Sequence, residues 1–406
     1  MNSPALRINE LHLSNIGPFP SLDMNFGDQA GIHLICGENG VGKTTILEAI
    51  TASWSRGEHH RIKRRQAAES GSVALKYKTL GSGNELRNDF NEMSPEKGEF
   101  TRANLPEAVN LIHVRASRDL KYFVQNAISR DPKFDLQQIN QKVAADLSAN
   151  EIKSWLTNRY LLSPHAEKSS WTPHMTENLA TATWLFSVLD EDISLAEVDV
   201  TTFDILVSTP NGTIPFELMS SGFRSTYFLL LSIIKEIEFR RLDVSAKQFS
   251  GVILVDEIDL HLHPTWQQQI GRILTTAFPM AQIIATTHSP HVVQAAHAND
   301  VISLRRDRMG NVECKNTLTG KYGFAGWTIE EILEEVMGVE NTRTKTFRDA
   351  MRKFDFALDA EDSQRGNEAL AELEKMLHPN NPLLKLIKIQ SAPFAYDDRA
   401  EEAKDD

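Results

Sequence analysis

The stretch Gly31-Ile32-His33-Leu34-Ile35-Cys36-Gly37-Glu38-Asn39-Gly40-Val41-Gly42-Lys43-Thr44-Thr45-Ile46-Leu47-Glu48-Ala49-Ile50 changes character twice. It begins as a short apolar run, which reads as a buried parallel strand. It crosses a loop carrying Gly37, Gly40 and Gly42, then opens a helix at Thr44-Thr45. Strand, glycine loop and helix in that order make a P-loop. Around Gly37, Asn39, Gly40 and Gly42, successive backbone N–H groups can curl about phosphate oxygens, and the helix start adds a favourable dipole. Lys43 is expected to bridge the β- and γ-phosphates, the Thr44 hydroxyl to ligate Mg²⁺, and Thr45 to line the phosphate cradle beside it. ATP and Mg²⁺ are therefore the expected cofactors.

Three further motifs follow in order. Leu254-Val255-Asp256-Glu257 ends the apolar run Val252–Val255. Asp256 is expected to hold Mg²⁺ through water, and Glu257 to orient and deprotonate the attacking water. Alone, this would equally fit a solvated strand end; beside a P-loop it reads as catalytic. Lys43 and Asp256 are 213 residues apart, where many P-loop enzymes make the step within one or two βα units. The long interval ends in Ser220-Ser221-Gly222, 36 residues before Asp256. Hydroxyls and free N–H groups at a helix start are anion ligands, and the same serines could simply cap the helix. Their position ahead of the Asp256 strand favours the phosphate reading. Thr287-His288-Ser289-Pro290 follows the apolar strand Gln282–Thr286. A histidine at a strand's C-terminal end sits where α/β sheets bind ligands, so His288 is expected to contact the γ-phosphate.

Around these motifs, Leu6, Ile8, Leu11 and Leu13 with Leu22–Phe26 predict an N-terminal hairpin or meander. Val73–Tyr77 and Val109–Val114 are strand candidates, and residues 80–104 read as a polar surface excursion. From Arg118 to about Glu191 the pattern is mostly helical, broken at Ser163-Pro164 and Thr172-Pro173. Val198–Thr209 reads as a strand that returns through Pro210-Asn211-Gly212. Thr328 with Glu331 makes a capping box, and a second amphipathic helix runs near Leu370, Leu373 and Leu377. The expected partition is an N-terminal lobe at 1–115, a helical insertion at 116–195, a C-terminal lobe at 196–310, a helical region at 311–395 and an acidic tail at 396–406.

The chain has 406 residues and a formal net charge of −12, which argues against a globally basic nucleic-acid coat. Cys36 and Cys314 are too few for a disulfide framework, so a reducing cytoplasm is the expected compartment. No stretch approaches the roughly 18 unbroken apolar residues of a membrane helix, so no membrane partner is expected. Arg56–Arg65 is the densest basic cluster. It is either a solvated face or a contact for DNA or RNA phosphates. His261 and His263 admit a metal reading, with packing or a dimer contact favoured.

Gly37–Thr45, Ser220-Ser221-Gly222, Asp256–Pro264 and Thr287–Pro290 resemble the Walker A, signature, Walker B with D-loop, and switch-histidine motifs of ABC ATPases. Leu262-His263-Pro264 and Thr287-His288-Ser289-Pro290 are similar to the SMC, RecF and OLD branch, as is the opening Leu6–Asn15. The resemblance implies an α/β ATPase head, with a mixed N-terminal sheet plus a parallel core sheet, a helical insertion and a C-terminal helical region. It implies a homodimer or higher oligomer closed head to tail, each ATP lying between one chain's Lys43 and the other's Ser220, with Asp259 reaching across. A chain of this length resembles the stand-alone ATPases of bacterial anti-phage defence, found in Septu and with some retrons. Those imply a separate HNH nuclease as effector. Met219-Ser220-Ser221-Gly222-Phe223 departs from the family's Leu-Ser-Gly-Gly-Gln, which implies slow turnover. No Q-loop glutamine is evident; Arg115 and Arg118 fall near its place or are surface arginines. The alternatives are a RecF/SMC-like repair ATPase acting directly on DNA, an OLD- or Gabija-like nuclease, for which no strand ending in paired acids is seen, and a transporter ATPase, whose D-loop would differ.

Overall fold

A computed structural model of the chain describes residues 5–79, 81–102, 105–118, 120–168, 171–240, 242–315 and 320–392; the acidic stretch 396–406 lies outside them. The described chain begins with β1 (Leu6–Ile16) and β2 (Phe19–Asn25), paired antiparallel with Leu11 opposite Met24 and Leu13 opposite Leu22. The apolar alternation of β1 skips from Ile8 to Leu11, and the pairing shifts register between Ile8 and Glu10. A bulge there keeps both apolar pairs on the buried face. Next come β3 (Gly31–Gly37), α1 (Lys43–Trp54), β4 (Arg56–His59), β5 (Gly71–Thr79), β6 (Ser82–Phe90), β7 (Glu99–Arg102) and β8 (Leu111–Val114).

β2-β1-β5-β6 form an antiparallel sheet, and β4 pairs with β7. Residues 82–90 are thus a regular strand and not an irregular excursion. As an edge strand of alternating polarity, Ser82–Phe90 carried too little apolar signal to be read.

α2 (Leu136–Lys142), α3 (Ala149–Leu162) and α4 (Pro173–Leu185) follow. Then come β9 (Ser194–Val198), β10 (Ile205–Thr209) and β11 (Gly212–Pro215), a three-stranded antiparallel sheet in the order β11-β10-β9. The single strand expected over Val198–Thr209 is therefore two strands, turned at Asp199–Asp204 through Phe203, whose φ is +58°. α5 (Ser221–Phe239) is buried over nearly its whole length.

β12 (Val252–Val255), α6 (Pro264–Ala277), β13 (Gln282–Thr286), α7 (Pro290–Gln294), β14 (Val301–Arg306), β15 (Val312–Lys315) and α8 (Ile329–Glu335) complete the first compact unit, residues 1–338. The central sheet runs β15-β14-β3-β13-β12-β8, parallel except for the edge strand β15. The class is α/β, its mixed character coming from an antiparallel sheet beside this parallel core. Gln282 joins the two sheets: its side-chain amide exchanges two 2.8 Å hydrogen bonds with the Ile8 backbone beside the bulge. The compact units do not divide at residue 310, since β15 and α8 fall in the first. The second unit, 339–406, holds α9 (Lys345–Asp359), α10 (Ser363–Met376) and α11 (Pro382–Gln390) around Phe347, Phe354, Leu373 and Ile387.

Candidate nucleotide site

In the central sheet β3, β13 and β12 are neighbours, so the residues after their C-terminal ends lie side by side. Their backbones stay laced beyond the strands: Thr287 N donates to Ile35 O at 3.0 Å, Ile258 N to Thr286 O at 2.9 Å, and Asp256 N to Val114 O at 2.9 Å. Three of the four sequence motifs therefore meet at one sheet edge, where parallel α/β sheets bind ligands.

The P-loop glycines are there for stereochemical reasons. Gly37 has φ +145°, and a Cβ on it would lie 2.3 Å from Leu304 O of β14. Gly42 has φ +102°, and a Cβ would meet Phe19 Cζ at 2.5 Å. Asn39 and Gly40 are exposed at the loop tip, and Arg306 donates to Gly40 O at 3.0 Å. Lys43 is buried and donates to Gly37 O at 2.8 Å and Glu38 O at 2.9 Å, which curls its ammonium over the loop. Burial lowers its pKa, opposed by the charges of Asp259, Asp256 and Glu257. Thr45 is half-buried and lies under Gly17.

Thr44 Oγ1 donates towards both oxygens of Asp256, at 3.1 and 3.0 Å, and Thr286 Oγ1 donates to Asp256 Oδ1 at 2.6 Å. A hydroxyl and a carboxylate converging at the mouth of a phosphate loop are hard oxygen donors. Two such protein ligands suit Mg²⁺, which keeps water and phosphate oxygens for its other positions. Glu257 adopts φ +50°, and its N–H is held by Thr286 Oγ1 at 2.7 Å.

His288 is exposed, though partial desolvation of its ring, with the Lys43 charge, lowers its pKa. Its loop is held by Asp259, whose Oδ1 accepts from Thr287 Oγ1 at 2.6 Å and His288 N at 3.2 Å. Asp259 thus holds the Thr287-His288 loop of its own chain. Ser289 caps α7 through the N–H groups of His291 and Val292. His263 caps α6, and no cluster of three or more acids, histidines or cysteines able to hold a metal occurs among the described residues.

Ser220-Ser221-Gly222 stands apart. No hydrogen bond joins it to residues 37–45 among the described residues. Ser220 is the N-cap of α5 but its side chain makes no capping hydrogen bond, so the bland capping reading does not account for it. Ser220 and Ser221 are exposed, whereas Gly222 is buried, with Trp266 Cζ3 2.8 Å and His261 O 3.0 Å from where a Cβ would sit. Phe223, in place of the family's glutamine, is buried with its ring 4.5 Å from that of Trp266. Its position is a packing position.

Sequence reasoning left Arg115 and Arg118 undecided; both are buried. Arg118 donates through Nη2 to Asp256 O and, at 3.1 Å, to Glu257 O, and through Nε to Arg115 O at 3.1 Å. Burial pushes its pKa down to about 10, against the charges of Asp256, Asp259 and Glu257. Arg115 makes a forked pair with Glu48 of α1. Only β8 lying next to β12 reveals these roles, and sequence separation hides that.

Much of the basic run is paired locally. Arg61 pairs with Glu48 and Asp146, Arg64 and Lys63 donate to backbone carbonyls, and Arg65 donates to Pro18 O at 3.1 Å. Burial pushes His59 down to about 4. Arg61 nonetheless keeps its side chain 47% exposed. No helix of the described residues is long and apolar enough to cross a membrane.

A family model described as "AAA domain, putative AbiEii toxin, Type IV TA system" matches residues 104–294, and one described as "AAA domain" matches residues 10–154. The chain is similar to Septu protein PtuA of Bacillus thuringiensis, 39% identical over 396 residues that cover 96% of this chain and 98% of that one. It is similar to the Retron Ec83 probable ATPase of Escherichia coli, 23% identical over 423 residues covering 81% and 76%. Among solved structures the SMC head domain from Thermotoga maritima is 16% identical, with a TM-score of 0.44, covering 77% of this chain and 100% of that one. With its nucleotide motifs assembled on an α/β head and this identity along nearly all of both chains, the protein belongs to the Septu PtuA family of P-loop ATPases.

Proposed function

We propose that the chain binds ATP with Mg²⁺, hydrolyses it slowly, and dimerises head to tail as a cytoplasmic switch for a separate nuclease subunit in anti-phage defence. One observation carries the reading. The P-loop, Asp256, Glu257 and His288 meet at one sheet edge, while Ser220 and Ser221 stand exposed elsewhere with a helix start behind them. Half of an ABC site is present in each chain, and a second copy completes it.

In this reading Lys43 exchanges the Gly37 and Glu38 carbonyls for phosphate oxygens, and the Gly37–Gly42 N–H groups hold the β-phosphate. Thr44 and Asp256 would hold Mg²⁺, which neutralises phosphate charge when bound. Glu257 accepts the proton of the attacking water. His288, on a loop fixed by Asp259, contacts the γ-phosphate, and the partner copy's serines and α5 start cover it. Closure follows ATP binding and opening follows hydrolysis, so the state is passed to the effector through the 116–195 insertion and the helices beyond 311. The nuclease and the defence role rest on the family alone.

Glu257→Gln should bind ATP, fail to hydrolyse it, and accumulate as a closed dimer. Light scattering behind gel filtration, with and without ATP and Mg²⁺, reads this directly. An assembly state indifferent to ATP in that variant would sink the switch.

A further inference from the structure

The turn that presents Ser220 is tied to the helical insertion through one buried cation. Lys153 lies on α3 and its side chain is wholly buried. Its ammonium is 2.7 Å from Asp204 Oδ1 and 2.7 Å from Glu217 Oε1, and donates to Phe123 O at 3.0 Å. Asp204 and Phe123 O accept hydrogen bonds from it, while Glu217 meets it as a close ion pair. The Tyr122 and Phe123 rings lie 4.9 and 5.0 Å from Nζ and close the site. Glu217 is 1% exposed, and neither of its oxygens accepts a hydrogen bond of good geometry among the described residues. The Lys153 charge is what compensates it.

Glu217 belongs to the turn Phe216–Leu218, which leads through Met219 to Ser220. Arg224, just beyond the serines, grips the same turn, donating to Glu217 O at 3.4 Å and to Leu120 O at 3.1 Å. The 120–123 segment it reaches begins two residues after Arg118, the residue that holds the Asp256 and Glu257 carbonyls. We propose that Lys153 is a positioning residue for the serine loop: its pairing with Glu217 sets the backbone from which Ser220 and Ser221 face a second copy of the chain. The insertion thereby governs the partner-facing half of each ATP site. A buried cation between two carboxylates does not slide by small steps. Shifting α3 away from the turn would strand a buried anion, so helix and loop move together or the pair breaks.

This inference rests on the head-to-tail reading, and complementation separates the two. In such a dimer each site takes its P-loop and Glu257 from one chain and its serines from the other. A Lys153→Met or Glu217→Gln chain keeps a sound P-loop and loses the serine half; a Glu257→Gln chain does the reverse. Full-length chains are assayed for ATP hydrolysis alone and mixed in equal amounts, with thermal melting to show that each is folded. Lys153→Met or Glu217→Gln alone should fall about tenfold, the scale of coupling between contacting charged groups, and Glu257→Gln alone should show almost no hydrolysis. Mixing Lys153→Met with Glu257→Gln should recover activity toward about a quarter of the wild-type rate, since half the dimers are mixed and each has one sound site. Glu257→Gln mixed with Lys43→Ala, both damaged in the same half, should recover nothing. If Ser220→Arg is rescued by Glu257→Gln and Lys153→Met is not, the positioning role is wrong. Wild-type activity in both Lys153→Met and Glu217→Gln would also overturn it. If Ser220→Arg itself is not rescued, the head-to-tail reading falls and this inference with it. Should Lys153→Met melt early, Glu217→Gln carries the test, because it keeps the shape of the side chain and the Lys153–Asp204 pair.

Discussion

Replacing Arg115 by methionine tests how the helix that follows the P-loop is held. Glu48 lies one helical turn after Thr44 on α1, with its side chain 4% exposed. Arg115 donates to both its oxygens, Nε at 2.7 Å and Nη2 at 3.1 Å, and reaches Ala145 O at 2.8 Å through Nη1. Burial alone would raise the Glu48 carboxyl. The hydrogen bonds and charge of Arg115, with help from His113 and Arg61, outweigh burial and hold it at about 2, against the usual 4.5. At about 1.4 kcal/mol per pKa unit, that difference is worth about 3 kcal/mol. Breaking a buried pair from one side costs a similar ~3–5 kcal/mol. The folded pKa lies below the unfolded one, so this contribution is complete above pH 4.5 and drains away as the pH falls toward 2.

Methionine keeps the length of the arginine stem and removes the fork. Arg61, 3.0 Å from Glu48 Oε1 but 47% exposed, remains as a weaker partner. Arg115→Met should therefore cost about 2–4 kcal/mol at pH 7. The assay is denaturant unfolding of the full-length chain, alone and in a Glu48→Gln background, at pH 7 and at steps below pH 4.5. The wild-type advantage should shrink as the pH falls through the window, and Glu48→Gln should absorb most of the loss. A coupling below about 0.5 kcal/mol at pH 7, within the range of independent sites, would refute the reasoning. Weaker ATP binding should accompany the loss, because Lys43, Thr44 and Glu48 share one helix.

Gly42→Ala should lower stability far more than Gly40→Ala. Both have positive φ, but a Cβ at Gly42 meets Phe19 and Pro18 within 2.6 Å, whereas at Gly40 nothing lies within 4 Å. Thermal melting should show roughly 2–5 kcal/mol lost against about 1–2, and equal losses would mean that the turn at Pro18-Phe19 does not buttress the P-loop. Asp256→Asn should leave ATP bound but raise the Mg²⁺ needed by about 10–100-fold, read from a magnesium titration of nucleotide binding; an unchanged titration would remove Asp256 from the metal. Arg118→Gln should lower kcat while KM for ATP barely moves, because Arg118 holds the Asp256 and Glu257 carbonyls. A rise in KM alone would instead place it against the ground-state nucleotide.

Much of the fold was legible because its strongest signals are local. Val252–Val255 is apolar throughout and Gln282–Thr286 has the apolar centre Ile283-Ile284-Ala285, and both are strands with those limits. The Thr328–Glu331 capping box is present as read, since both partners lie within one helical turn. Ser82–Phe90 is not legible as a strand because its inner face carries only Leu86 and Phe90 as apolar residues, too few to show a period. The turn that splits Val198–Thr209 was hidden because Phe203, a residue that favours strands, is held there in the left-handed region.

By itself the sequence carried the nucleotide motifs: a glycine loop between strand and helix, an acidic pair after a buried strand, and a histidine after another. Each is a short-range pattern whose residues must be neighbours in the chain to do their work. Tertiary structure decided the rest. It set Thr44 against Asp256 across 212 residues, and gave Asp259 to the Thr287-His288 loop of its own chain. It turned Arg115 and Arg118 inward, and paired Arg61, Lys63, Arg64 and Arg65 with nearby carbonyls and carboxylates. It also tied the Ser220 loop to Lys153 of the insertion. A charge's partner is whatever the folded backbone brings within a few ångströms, and strand order, not sequence order, chooses it.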